Sequence, residues 1–133
     1  MVKMSVLYQG EKHCELTHGP SGQIIATDAP KDNNGRGEAF SPTDLCAVSL
    51  ATCMLTVMAI NAEKENVSLN GSTAEVTKEM QASPRRISRI GVTLKMPAHL
   101  SPEWRQKLEQ IAHACPVKLS LHPDIKTDVT FHY

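Results

Sequence analysis

The apolar run from Leu45 to Ile60, Leu-Cys-Ala-Val-Ser-Leu-Ala-Thr-Cys-Met-Leu-Thr-Val-Met-Ala-Ile, most restricts what this chain can fold into. It is opened by Ser41-Pro42-Thr43-Asp44. Ser41 is suited to cap a helix, Pro42 to its first position, and Asp44 to its positive end. The helix predicted from Leu45 to about Ala62 is apolar almost all round, broken only by Ser49, Thr52 and Thr56, so it is expected to be buried on most sides. Its length, about eighteen residues, reaches only the short limit of the roughly 17–25 that span a bilayer. The small polar residues and the lack of a basic flank favour a central core helix over a membrane span.

The segments around this helix alternate like strands. Residues 3–8, 11–16 and 23–27 read as a small antiparallel meander, punctuated by Gly10 and by the turn His18-Gly19-Pro20-Ser21-Gly22. Residues 28–38 form a loop rich in turn formers. Beyond the helix, residues 68–80 and 87–96 read as a long hairpin. Ser101-Pro102-Glu103 repeats the capping device, and Trp104, Leu108, Ile111, Ala112 and Cys115 then fall at helical spacing on one face. Pro116 cannot continue that helix, so Cys115 is predicted at the N-cap of a short restart over 117–121. Residues 126–133 alternate as a final strand.

At 133 residues the chain has the size of a single domain, expected over 1–133. Fourteen basic residues balance fourteen acidic ones, which leaves no net field to gather a nucleic-acid backbone. The N-terminus alternates like a strand and lacks the apolar region of a signal peptide, so a cytoplasmic protein is expected, with neither nucleic acid nor membrane as partner.

Four cysteines occur, at 14, 46, 53 and 115, and in a reducing compartment they are expected as free thiols. No Cys-x-x-Cys is present and no pair has metal-finger spacing with histidines, so no metal site is expected. Cys14 and Cys46 read as small packing residues. Cys46 lies two turns, about 10 Å, from Cys53, beyond the roughly 7 Å that a disulfide spans between Cα atoms.

Taken together, Ser41-Pro42-Thr43-Asp44-Leu45, the small-residue helix into Ala51-Thr52-Cys53, and Cys115-Pro116-Val117 followed by Ser120-Leu121 resemble the OsmC/Ohr family. The order of elements agrees along nearly the whole chain. The resemblance implies an α+β fold in which two protomers intertwine, with long apolar central helices packed against antiparallel sheets. It implies a thiol-dependent reduction of organic hydroperoxides without metal or organic cofactor. Cys53 would attack the peroxide, and Cys115 would resolve the sulfenic acid to a disulfide that a dithiol, typically on a lipoyl protein, reduces. In the family an arginine held by a glutamate after the helix-opening proline activates the first thiol. Here Thr43 occupies that glutamate's position. The candidate cation is Arg36, whose neighbours Gly35 and Gly37 would let the backbone approach the helix start. Glu38 and Asp44 are the nearest carboxylates, while Arg85, Arg86 and Arg89 read as edge-strand charges. Leu50, Met54 and Val57 are expected to wall the site and favour alkyl hydroperoxides. The alternative on the same scaffold is a redox-sensing or small-ligand-binding protein, with the cysteines lining a pocket.

Overall fold

The computed structural model describes residues 1–133 and divides into two compact units, Met1–Cys46 and Ala47–Tyr133.

In the first unit, β1 (Met4–Gly10), β2 (His13–His18) and β3 (Ile24–Asp28) form an antiparallel meander in sequential order. The register places Val6 opposite Leu16 and Leu16 opposite Ile25, so one face carries an apolar row across all three strands. Glu11 and Lys12, both with positive φ, make the β1–β2 turn. A 3-10 turn at Lys31–Asn33 follows, and Ser41 then opens α1 (Pro42–Glu63). The cap is reciprocal: the Asp44 N–H donates to Ser41 Oγ over 3.1 Å, and the Ser41 N–H donates to Asp44 Oδ2 over 2.9 Å. The only buried residues of this unit are Thr27, Asp28 and Ser41, none of them apolar.

In the second unit, β4 (Thr73–Ala82), β5 (Arg85–Lys95) and β6 (Lys126–His132) form a sheet in that order. β4 pairs antiparallel with β5 and β6 pairs parallel, so this sheet is mixed, whereas the sequence led us to expect antiparallel sheets. A parallel neighbour needs a crossover, which α2 (Pro102–His113) and α3 (Pro116–Ser120) supply. Ile90, Val92 and Leu94 alternate into the core. An irregularity in the β4–β5 register near Glu79 and Met80 shifts the phase by one residue, so Ile87 also faces inward. β5 is the central strand, which corrects the reading of its arginines as edge charges: Arg86 pairs with Asp124, and Arg89 with Asp128 and Glu79.

The core lies wholly within this unit. α1 contributes Ala47, Leu50, Ala51, Met54, Met58 and Ala62, one stripe at helical spacing. Each large member of that stripe, taken fully out of water, contributes about 1.5–3 kcal/mol. The opposite side of α1 is not buried, contrary to the expectation of burial on most sides: Cys46, Thr52, Thr56 and Ile60 are exposed. Its polar members bond back to the helix, Thr52 Oγ1 to the Ser49 carbonyl over 3.0 Å and Thr56 Oγ1 to the Thr52 carbonyl over 2.8 Å. By length and composition alone α1 could cross a membrane, yet its apolar stripe is seated in the core with β5 and α2.

Candidate functional site

Cys53 and Cys115 are brought to the same cluster. Cys53 is half-buried on α1, on the shoulder between the core stripe and the exposed side, where it packs against the core cluster that contains Cys115, close enough for its thiol to bear on that of Cys115. Cys115 is fully buried, at 0% exposure, and both thiols are free. Two local devices hold Cys115. Leu108 and Ala112 bury the same face of α2, which carries the chain inward, and Pro116 then ends that helix and starts α3 with Cys115 as its N-cap. The Cys115 sulfur accepts the Lys118 backbone N–H over 3.4 Å. Burial pushes the Cys115 thiol above its ordinary pKa; the Lys118 amide opposes this, and the Cys53 thiol adds to it. At neutral pH Cys115 is therefore protonated.

The walls differ from the sequence reading. Leu50 and Met54 are fully buried in the core and cannot line an accessible pocket, which leaves Val57, half-buried on the same helix. Beside the restart, Lys118 Nζ lies 3.0 Å from His113 Nδ1, and the His113 ring meets Phe131 edge to face at 6.2 Å. Burial first, and then the Lys118 charge, hold His113 below its usual pKa. Cys14 is half-buried on β2 and Cys46 is exposed on α1.

In the first unit, Arg36 pairs with Asp28 Oδ1 and with Glu11 Oε2, both at 3.5 Å. The close approach that Gly35 allows is within its own loop, because a Cβ there would stand 1.8 Å from the Ala29 carbonyl oxygen. Glu38 enters this cluster through its backbone N–H, which donates to Asp28 Oδ2 over 3.1 Å. Asp44 is engaged in the helix cap. Asp28 escaped the sequence reading. It stands opposite His13 in the β2–β3 register, and His13 Nδ1 is 2.6 Å from its Oδ1. The hairpin pairing through His18–Gln23 was the signal that could have found it. No group of three or more His, Cys, Asp or Glu side chains is disposed to hold a metal ion.

A family model of OsmC-like proteins matches residues 35–130. The fold is similar to that of a Psychrobacter arcticus protein described by osmotic stress induction and a detoxification response, with 45% identity and a TM-score of 0.95 over 99% of this chain and 96% of that one. An organic hydroperoxide resistance protein OsmC of Legionella pneumophila superposes with a TM-score of 0.79 at 15% identity, over 100% and 97% of the two chains. The organic hydroperoxide resistance protein OhrB of Bacillus subtilis does so with a TM-score of 0.67 at 16% identity, over 98% and 97%. No curated protein matches the chain. With the family model covering most of its length, and helices and strands in the same arrangement as these neighbours, the chain belongs to the OsmC-like family.

Proposed function

We propose that this chain is a thiol-dependent peroxidase that reduces organic hydroperoxides through a Cys53–Cys115 disulfide cycle. The observation that carries this reading is that one half-buried thiol and one fully buried thiol, from distant parts of the second unit, are neighbours at the edge of one core cluster. The Cys53 thiolate attacks the terminal peroxide oxygen, the O–O bond breaks, and the alkoxide leaves and takes up a proton as the alcohol. Cys53 is then a sulfenic acid. The Cys115 sulfur attacks the Cys53 sulfur, its proton leaves with the hydroxyl as water, and a disulfide forms. An external dithiol returns two electrons and two protons by exchange. With Cys53 packed against the core cluster that holds Cys115, the two sulfurs start as neighbours for the second step.

By the chain's resemblance to the family, Arg36 is the candidate for the cation that activates the first thiol. A homodimer, each chain acting as one OsmC-like domain, is part of this reading. The first unit buries no apolar side chain while exposing Val6 at 66% and Ile25 at 46%, and a three-stranded sheet of that kind needs a covering surface. A cavity of about 420 Å³, lined by Met4, Val6, Leu16 and Ile25 among others, lies on that face. A cytoplasmic location with a lipoyl-type or other small dithiol as reductant completes the proposal.

The test is to mix reduced protein with cumene hydroperoxide and follow thiol loss by mass spectrometry. A Cys53–Cys115 disulfide at stoichiometric peroxide, and loss of peroxide consumption in Cys53→Ser, are expected; undiminished consumption by that variant defeats the assignment. Thr43, in place of the family's glutamate, favours a second reading as a redox sensor. In that case the disulfide still forms, but added dithiol does not sustain turnover.

A further inference from the structure

Asp28 is a carboxylate almost wholly removed from solvent, its side chain 1% exposed, in a unit with no apolar core of its own. A buried charge is costly unless it is met by charge and hydrogen bonds. Here it is met from three directions. His13 Nδ1 on β2 lies 2.6 Å from Oδ1; since a carboxylate only accepts, the histidine nitrogen is the donor. The Glu38 N–H donates to Oδ2 over 3.1 Å. The Arg36 guanidinium stands 3.5 Å from Oδ1. The backbone of Asp28 adds a fourth tie, its N–H donating to the Phe40 carbonyl over 3.2 Å just before the α1 cap.

The loop is shaped around this point. Gly35 and Gly37 both donate backbone hydrogen bonds into residues 29–30, Gly35 to the Pro30 carbonyl over 2.9 Å and Gly37 to the Ala29 carbonyl over 3.2 Å. Gly35 has no room for a side chain, and Gly37 sits at φ +62°. Arg36 is thus presented between two glycines beside the one buried carboxylate of the unit. Its other partner, Glu11, is 78% exposed, and so its attraction is screened by water.

We propose that Asp28 is the positioning residue for Arg36, taking from the end of β3 the part that a glutamate after the helix-opening proline plays elsewhere in the family. His13 fixes the carboxylate that does the positioning, while Glu11 is a dispensable outer contact. The proposal rests on the reading of Arg36 as the cation that activates Cys53, and its test separates the two.

The direct readout is the Arg36 Nε–Hε resonance in the full-length reduced protein. Asp28→Asn should shift and broaden it, Asp28→Glu should largely restore it, and Glu11→Gln should leave it in place. An unchanged resonance in Asp28→Asn, or a loss in Glu11→Gln as large as in Asp28→Asn, overturns the proposal. Should Asp28→Asn not fold, the wild-type protein gives the same decision: the Arg36 resonance should follow the titration of the Asp28 carboxyl carbon, and following that of Glu11 instead overturns it. The second readout is the pH profile of Cys53 alkylation by a small haloacetamide. Arg36→Ala is expected to slow alkylation roughly tenfold near neutral pH, the effect of about one pKa unit. Asp28→Asn should do the same, the double variant should be no slower than either, and Asp28→Glu should recover most of the rate. Additive losses overturn the positioning role. If Arg36→Ala leaves the profile unchanged while its resonance depends on Asp28, the activating role of Arg36 falls and the positioning by Asp28 stands.

Discussion

The Lys118 backbone N–H donates to the Cys115 sulfur over 3.4 Å, so the thiol proposed to resolve the sulfenic acid is also the cap of a helix. The two roles can be separated because serine caps better than cysteine but cannot form a disulfide. Cys115→Ser should retain near-native stability while a Cys53 sulfenic acid accumulates, trapped by a dione reagent. Cys115→Ala removes the cap and opens a small hole, costing about 1–2 kcal/mol in urea denaturation. Equal stability of the two variants defeats the capping role.

Cys115 is also fully buried, with its pKa raised. In native protein at neutral pH it should alkylate far more slowly than Cys53, and the two should become equal only after denaturation. Peptide mapping of singly alkylated protein checks this. Preferential labelling of Cys115 would reverse the proposed roles.

Lys118 Nζ can donate to His113 Nδ1 only while the imidazole is neutral. Because the folded-state pKa of His113 is depressed below its ordinary 6.5, the unfolded chain binds the proton first. The contribution of His113 to stability is therefore present above pH 6.5 and declines as pH falls through the folded-state value. His113→Gln should flatten that part of the stability–pH curve, read as urea midpoints, and an NMR titration of His113 should give a value below 6.5.

Asp28 obeys the same sign at lower pH. Hydrogen bonding to His13 is the main reason its pKa lies below the ordinary 3.8, with Arg36 and the Glu38 amide assisting against burial. Its contribution is present above pH 3.8 and is lost as pH falls through the depressed value. Asp28→Asn should be less stable than wild type at neutral pH, with the difference narrowing in acid. A constant difference down to acid unfolding would show that the charge is not what matters.

Leu50 and Met54 are fully buried, and truncating either to alanine should cost about 2–5 kcal/mol by chemical denaturation. Ile25, 46% exposed on the apolar face of the first sheet, behaves differently if that face is covered by a second copy. Ile25→Asp should then halve the mass seen by light scattering, and an unchanged mass would remove the sheet face from the proposed dimer.

The helices and strands were legible because their causes lie within a few residues of one another. Ser41, Pro42 and Asp44 announce α1 through contacts no more than three residues apart, Ser101 and Pro102 do the same for α2, and Pro116 makes the restart that turns Cys115 into a cap. Which side of α1 would be buried was not legible. A helix apolar almost all round gives no sequence contrast between its faces, so packing against β5 and α2 selected the stripe through Leu50, Met54 and Met58. The same limit misdirected the assignment of Leu50 and Met54 as site walls.

The sequence by itself determined the elements, their caps, the two thiols and the family they point to, since each rests on local stereochemistry or on motif order. Tertiary structure alone decided that β6 runs parallel to β5, that Cys53 packs against the core cluster holding Cys115, and that Arg36 shares the buried Asp28 with His13. These are meetings of residues far apart in the chain. Their free energy comes from burial and pairing that exist only once strand register and helix packing have removed the groups from water.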